Sequence, residues 1–202
     1  MNPVTHLLAS WLVAETVPGL GDRDRFLVVA AGVIPDVDGI GAFVELATRD
    51  SEHPLLWFSE FHHSLHNVGL LIVACAAVLL FARRRWITLP LAVIAFHLHL
   101  VFDILGGRGP DGSQWPIPYL APFSGAVQLV WRGQWALNAW PNILLTLVLV
   151  AATLGLAWNR GRSPVGLFSK KADRIFVEAL RNRFPRAQTP GGPPAGPSSR
   201  GR

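Results

Sequence analysis

The sequence predicts an all-α, polytopic helical membrane protein with a His/Asp metal site at one membrane face. Two observations predict the membrane fold. Half of the 202 residues are hydrophobic and only 15% are charged, with a mean hydropathy of +0.35, which is too apolar for an ordinary soluble domain. The apolar residues also gather in runs, at 68–82, 90–105 and 143–158, that arginine clusters bound. A third observation predicts the site. Residues 90–107, PLAVIAFHLHLVFDILGG, place two histidines and an aspartate inside a segment that otherwise reads as membrane-spanning, and ionisable groups at membrane depth default to function.

The chain divides into a helical membrane domain over 1–160 carrying the site, a basic amphipathic helix over 161–184 and a disordered tail over 185–202. Asn2 followed by Pro3 reads as an N-cap with proline at the first helical position. The helix it opens runs through HLLASWLVAE and stops near Pro18 and Gly19, with His6 in its first turn. This stretch lacks a basic leading region and carries His6 and Glu15, which argues against a cleavable signal peptide.

A charged loop, 21–25, leads into FLVVAAGVI, an apolar run that Pro35 ends. It is too short to cross about 30 Å of hydrocarbon, so the element is buried, re-entrant or extended by its flanks. Directly after it, Pro35-Asp36-Val37-Asp38-Gly39 sets two acids in a turn. A solvated turn is the plain reading of that motif, and metal ligation is the functional one. Residues 41–60 read as loop plus a short helix.

The next motif, Phe61-His62-His63-Ser64-Leu65-His66-Asn67, packs three histidines into five residues. On a helix His62 and His66 would share a face, with His63 reaching it less directly. The apolar run 68–82 follows and ends in Arg83-Arg84-Arg85. In the segment after it, His99 and Asp103 are four residues apart, so a helix brings imidazole and carboxylate to one point, at ligand spacing for a divalent metal. His97 sits about 200° away around the same helix and is expected to orient a ligand instead.

Beyond Asp103 the glycines and prolines of 106–125 forbid long regular structure, and Trp115 and Tyr119 supply aromatic surface. A lid or substrate rim and a plain interfacial loop are both open readings. The last apolar run, 143–158, closes on Asn159-Arg160-Gly161-Arg162. Phe168, Ala172, Ile175, Phe176, Ala179 and Leu180 then recur at helical intervals among lysines and arginines, the pattern of a helix lying on an anionic membrane surface. After 185 the Pro/Gly/Ser-rich chain has too few apolar residues to pack. The single Cys75 reads as core and allows no intramolecular disulfide. A net charge of +5 would suit nucleic acid, but the basic residues sit at segment ends and in the C-terminal third, so anionic lipid is the simpler partner and no direct nucleic acid is expected.

The arginines at 83–85 and after Trp158 belong on the cytoplasmic side. Alternation of the segments then carries His6, Asp36, Asp38, the 62–66 histidines, His99 and Asp103 to the opposite, non-cytoplasmic level of a multi-pass inner-membrane protein. The expected metal ligands are His6, Asp36, His62, His63, His66, His99 and Asp103. Asp38 is the candidate catalytic base. A His/Asp set without thiolates suits Zn²⁺, with Mn²⁺ or Fe²⁺ also accommodated, in one or more sites. Open positions on such an ion support hydrolysis of an ester or phosphoester, carried by a small molecule or a lipid. No nucleophile elbow, P-loop or GxGxxG points elsewhere. The rival classes are a metal or proton transporter using the same residues as a relay, and a membrane anchor that recruits a regulatory protein through its basic C-terminal region.

The order of His6, Pro35-Asp36-Val37-Asp38, His62-His63-Ser64-Leu65-His66-Asn67 and His99-Leu-Val-Phe-Asp103 with Trp115-Pro116 downstream resembles the membrane-bound metal-dependent hydrolases. These are also described as LexA-binding, inner-membrane-associated hydrolases, and the resemblance covers roughly residues 1–125. It implies a helical membrane domain whose His and Asp residues bind divalent metal, with a remote similarity to zinc-dependent phospholipase C. Many members carry His-Arg-x-x-Thr-His-Ser at the second cluster. The His-His form found here lacks that arginine, which implies an altered substrate contact or different chemistry.

Overall fold

A computed structural model describes residues 1–57, 64–109 and 112–185. Helix α1, Pro3–Glu15, opens as its sequence predicts: Pro3 takes the first turn and the Asn2 side chain accepts the Thr5 backbone N–H at 3.0 Å. Helix α2, Asp22–Val33, passes directly into a 3₁₀ helix, Ile34–Ile40, and then into α3, Gly41–Thr48. Pro35 therefore changes the winding without ending the helix. It stands at the start of the 3₁₀ segment, where a missing N–H is tolerated. Of the three readings open for FLVVAAGVI, extension by its flanks is the one adopted, and the helical path Asp22–Thr48 reaches 27 residues.

Helix α4, Val68–Phe81, begins at Asn67, whose side chain accepts the Leu70 N–H at 3.1 Å. The longest helix described, α5, spans Arg85–Gly106, so the helix that carries the 90–107 segment begins five residues before Pro90. Helix α6, Trp140–Arg160, is closed by Gly161 at φ 71°, a left-handed C-cap that glycine adopts without a Cβ penalty. A short 3₁₀ turn, Pro164–Leu167, precedes α7, Lys170–Arg183. Three helical stretches, Asp22–Thr48, Arg85–Gly106 and Trp140–Arg160, are long and apolar enough to cross a membrane, and Val68–Phe81 is apolar but shorter.

Helix α5 is the centre of the bundle and packs on α1, α2 and α4. Its buried residues serve three clusters: Leu91 and Ala95 meet Ala14 and Val28, Ala92 meets Ala31 and Val78, and Phe96 and Leu100 meet Leu71 and Ile117. Helix α6 lies against α1 and leaves Ile143, Leu144, Leu147 and Val148 exposed, a face suited to lipid. The connection 107–139 has no strand among its described residues, yet two bridges order it, Arg108 to Ala136 and Ile117 to Leu129. Ile117 is wholly buried against α5 and pins that connection to the bundle.

The two ends of the bundle differ in chemistry. At one end Glu15 meets Arg25 at 2.6 Å, Arg162 at 2.8 Å and Arg160 at 2.9 Å, Lys170 meets Asp22 at 2.8 Å, and Asp24 accepts the backbone N–H groups of Arg83 and Arg84 at 2.7 and 3.0 Å. His6, Asp36, Asp38, His66, His99 and Asp103 lie together at the other end. Residues 161–184 are tied to the membrane domain through these arginine and lysine contacts, and Asp173 accepts from both the N–H and the hydroxyl of Ser163. Of the expected tail, 186–202 lies outside the described residues.

Candidate metal centre

Four ligand atoms, one each from His6, Asp36, His99 and Asp103, lie within 4.8 Å of one another. Each arrives from a different local cause. Proline capping of α1 puts His6 in its first turn, the 3₁₀ winding after α2 turns Asp36 inward, and the i,i+4 spacing in α5 aligns His99 with Asp103. His6, His99 and Asp103 are buried, and the Asp36 side chain is nearly so.

Asp103 is the hub. Its Oδ1 lies 3.1 Å from His6 Nε2 and also contacts the Met1 amino group. Its Oδ2 lies 3.1 Å from both His66 Nε2 and His99 Nε2. The His6 ring stacks on that of His99, centroids 3.7 Å apart, and Asp36 Oδ1 approaches His99 Nε2 at 3.8 Å.

The tautomer of His99 is set by its other nitrogen. Nδ1 lies 2.8 Å from the carbonyl of Gly32, an acceptor only, so Nδ1 carries a proton and donates it. Nε2 is then the atom left to face two carboxylates and a second imidazole nitrogen. Further buried polar atoms stand nearby: His6 Nδ1 and Asp36 Oδ2 have no hydrogen-bond partner among the described residues. The N/O donor set is one that Zn²⁺, Mn²⁺ or Fe²⁺ would accept.

His66 stands beside the four. Its Nε2 is 3.1 Å from His99 Nε2 and its Nδ1 is 3.3 Å from Asp38 Oδ2. Burial disfavours the charged imidazole, but the hydrogen bonds to Asp103 and Asp38 outweigh it and push His66 up to about 9. The expected helix over this motif does not extend to His66, which lies in the turn preceding α4 because Asn67 is extended as the N-cap. His62 and His63 lie outside the described residues. Asp38 also accepts the Leu65 N–H at 3.2 Å, so it anchors the turn that carries His66. His97 faces away from the cluster: its two ring nitrogens lie 2.8 Å from the Val93 carbonyl and from the Tyr119 hydroxyl. It holds the 107–139 connection and touches none of the four.

The model of the YdjM inner membrane protein family matches residues 1–169. The chain belongs to that family. The match takes in every membrane helix and every residue of the His/Asp cluster, and it ends where α7 begins. It supports the inner-membrane part of the resemblance read from the motifs. No curated protein and no solved structure matches the chain.

Some residues that shape the site in this YdjM-family chain escape a motif reading. Gly32 supplies the carbonyl to His99. Gln134 is buried and donates to the Asp103 carbonyl at 2.8 Å. Asn142 donates to the carbonyls of Gly106 and Leu137 at 3.0 and 2.9 Å, and accepts the Trp135 indole N–H at 2.5 Å. A Cβ on Gly106 would fall 2.2 Å from Asn142 Oδ1, so only glycine fits at the end of α5. The paired glycines after Asp103 were the available signal for this clasp.

Proposed function

We propose that this YdjM-family protein is a metal-dependent hydrolase of the inner membrane acting on an ester or phosphoester. His6, Asp36, His99 and Asp103 would hold the divalent ion, with Zn²⁺ the first candidate. The observation that carries the reading is the Gly32–His99 bond. It commits the Nδ1 proton to the protein and aims the Nε2 of a buried imidazole at two carboxylates. Such an ion supplies Lewis-acid polarisation of the substrate oxygen and of water.

The chain's own residues do the rest. Asp38 keeps the His66 ring oriented through Nδ1, so that Nε2 faces the centre and the pair can hold or pass the proton exchanged in hydrolysis. Asp36 both belongs to the cluster and lines the adjoining cavity, which is where a substrate would reach the ion. A transmembrane relay finds less support. Among the described residues, α6 holds no ionisable side chain before Arg160, and α4 holds only Cys75. The positive-inside pattern supports a multi-pass reading with the arginine-rich end in the cytoplasm and the His/Asp end on the far side.

The test is elemental analysis of protein purified without chelator, run with a hydrolysis screen over chromogenic esters, phosphomonoesters and phosphodiesters. At least one divalent transition metal per chain is expected, lost on Asp103→Ala. Wild-type protein free of metal would sink the proposal.

A further inference from the structure

A cavity of about 490 Å³ opens beside the cluster, within the roughly 300–1,000 Å³ of small-molecule sites. Asp36 is the one charged side chain among its described lining residues, Met1 and Asn2 stand there too, and apolar groups make up most of the remainder. Ile40 and Phe43 come from the 3₁₀ helix and α3, and Trp115 and Leu137 from the connection after α5. The polar groups are thus few: Asp36 with Met1 and Asn2 of the chain start, Met1 being the residue whose amino group contacts Asp103. At the rim Ile40 is 59% and Phe43 74% exposed. Both stand on the helical path Asp22–Thr48, which is itself apolar enough to lie in a bilayer, so the apolar wall runs out to where lipid would be.

A small polar ester has no use for such a wall, because it would leave apolar surface in contact with water. An amphiphile matches both halves. We propose that the cavity takes the acyl or alkyl chain of an amphiphilic ester or phosphoester, head against Asp36 and the cluster, chain between Phe43 and Leu137. The inference rests on the hydrolase reading for the chemistry at the head and supplies its substrate class: a chain-bearing lipid drawn from the membrane. Affinity then rises with chain length, about fourfold per buried methylene at the hydrocarbon limit.

Gly39 gives a clean probe. It lines the cavity, and a Cβ built on it meets nothing within 4 Å, so a larger side chain can enter without pushing on the backbone. The experiment reconstitutes the full chain in phosphatidylcholine vesicles doped with phosphatidic acid bearing a photoreactive diazirine at the end of one chain. Labelled peptides are mapped and bound metal is measured on the same samples.

Wild type should label at Ile40, Phe43 or Leu137. Long-chain lysophosphatidic acid should compete and dibutyl phosphate should not. Gly39→Phe should cut that labelling at least tenfold with metal content unchanged. Leu137→Trp, which enlarges another residue lining the cavity, provides the same reading should Gly39→Phe fail to fold. Labelling confined to the exposed face of α6, labelling untouched by either substitution, or equal competition by dibutyl phosphate would overturn the inference. Cavity labelling in a wild-type protein that carries no metal would overturn the hydrolase reading and leave the chain site standing.

Discussion

His99 Nδ1 and the carbonyl oxygen of Gly32 are 2.8 Å apart, and this contact joins helix packing to the chemistry of the cluster. Gly32 stands in the last turn of α2, where carbonyls lose their intrahelical partners, so its oxygen is available to a neighbouring helix. The neighbour is close because Gly32 has no side chain. A Cβ there would fall 1.9 Å from Ser10 Oγ, 2.8 Å from Ser10 Cβ and 3.1 Å from Ala95 Cβ. One glycine thus lets α1, α2 and α5 close together and fixes which nitrogen His99 presents to the site.

Gly32→Ala should therefore damage stability and metal binding together. Overpacking of this kind costs about 1–3 kcal/mol, and disturbing the partner of a metal-ligating histidine weakens affinity about 10–100-fold. Thermal unfolding in detergent and metal titration measure the two effects. Adding Ser10→Gly removes the two nearest clashing atoms, so the double variant should recover most of both. Failure of that rescue would show that the close approach of α1 to α2 is not what positions His99.

Much of this cluster's geometry was legible in the sequence, because its residues obey local rules. His99 and Asp103 declare themselves by i,i+4 spacing, and His6 follows from the Asn2-Pro3 start. The sorting of basic and His/Asp clusters to opposite ends was readable from the positive-inside pattern, and the bundle shows the same separation. What could not be read was contact between segments without a motif. Glu15 served only as evidence against a signal peptide, yet it collects three arginines from two distant segments. Pro35 looked like a helix end because an α-helix tolerates proline poorly, whereas the chain changes to 3₁₀ winding. Gly32, Gln134 and Asn142 act through backbone carbonyls, which leave no trace in residue patterns.

The Glu15 cluster should be structural and separable from the metal. The Glu15 side chain is fully buried, Arg25 nearly so, and Arg160 and Arg162 about one third exposed. Glu15→Ala leaves three guanidinium groups facing one another with their shared carboxylate gone. Removing one member of a buried ion pair costs about 3–5 kcal/mol, and the partial exposure of two partners sets the expectation at about 3 kcal/mol. Thermal unfolding should show that loss while metal content per folded chain stays unchanged, and limited proteolysis should cut faster between α6 and α7. Loss of metal in the folded fraction would show that the two ends of the bundle are coupled.

Topology is testable at two exposed positions. Arg84 contributes its backbone N–H to Asp24, a bond that cysteine preserves, and Ser113 lies in the connection after α5 at the His/Asp end. In a variant with Cys75 replaced by Ala, a cysteine at position 84 should be shielded from an impermeant maleimide in intact cells, and one at 113 should react. The reverse pattern would turn the metal centre towards the cytoplasm.

The sharpest division of roles is between Asp103 and Asp38. Asp103 is shared by three imidazoles within 3.1 Å and belongs to the four-atom group. Asp38 lies outside that group and, among the described contacts, reaches the centre through His66. Asp103→Asn should empty the site, because a carboxamide offers one neutral oxygen where two anionic ones met three rings. Asp38→Asn should leave most of the metal in place, since none of the four ligand atoms is lost. Its effect should fall on turnover, which drops about 10²–10⁴-fold when a positioned proton-transfer group is lost. Metal analysis and steady-state hydrolysis of the best substrate from the screen, run on both variants, separate the two roles. If Asp38→Asn instead lost metal as completely as Asp103→Asn, Asp38 would be part of the cage and the proton would have to be carried by another group.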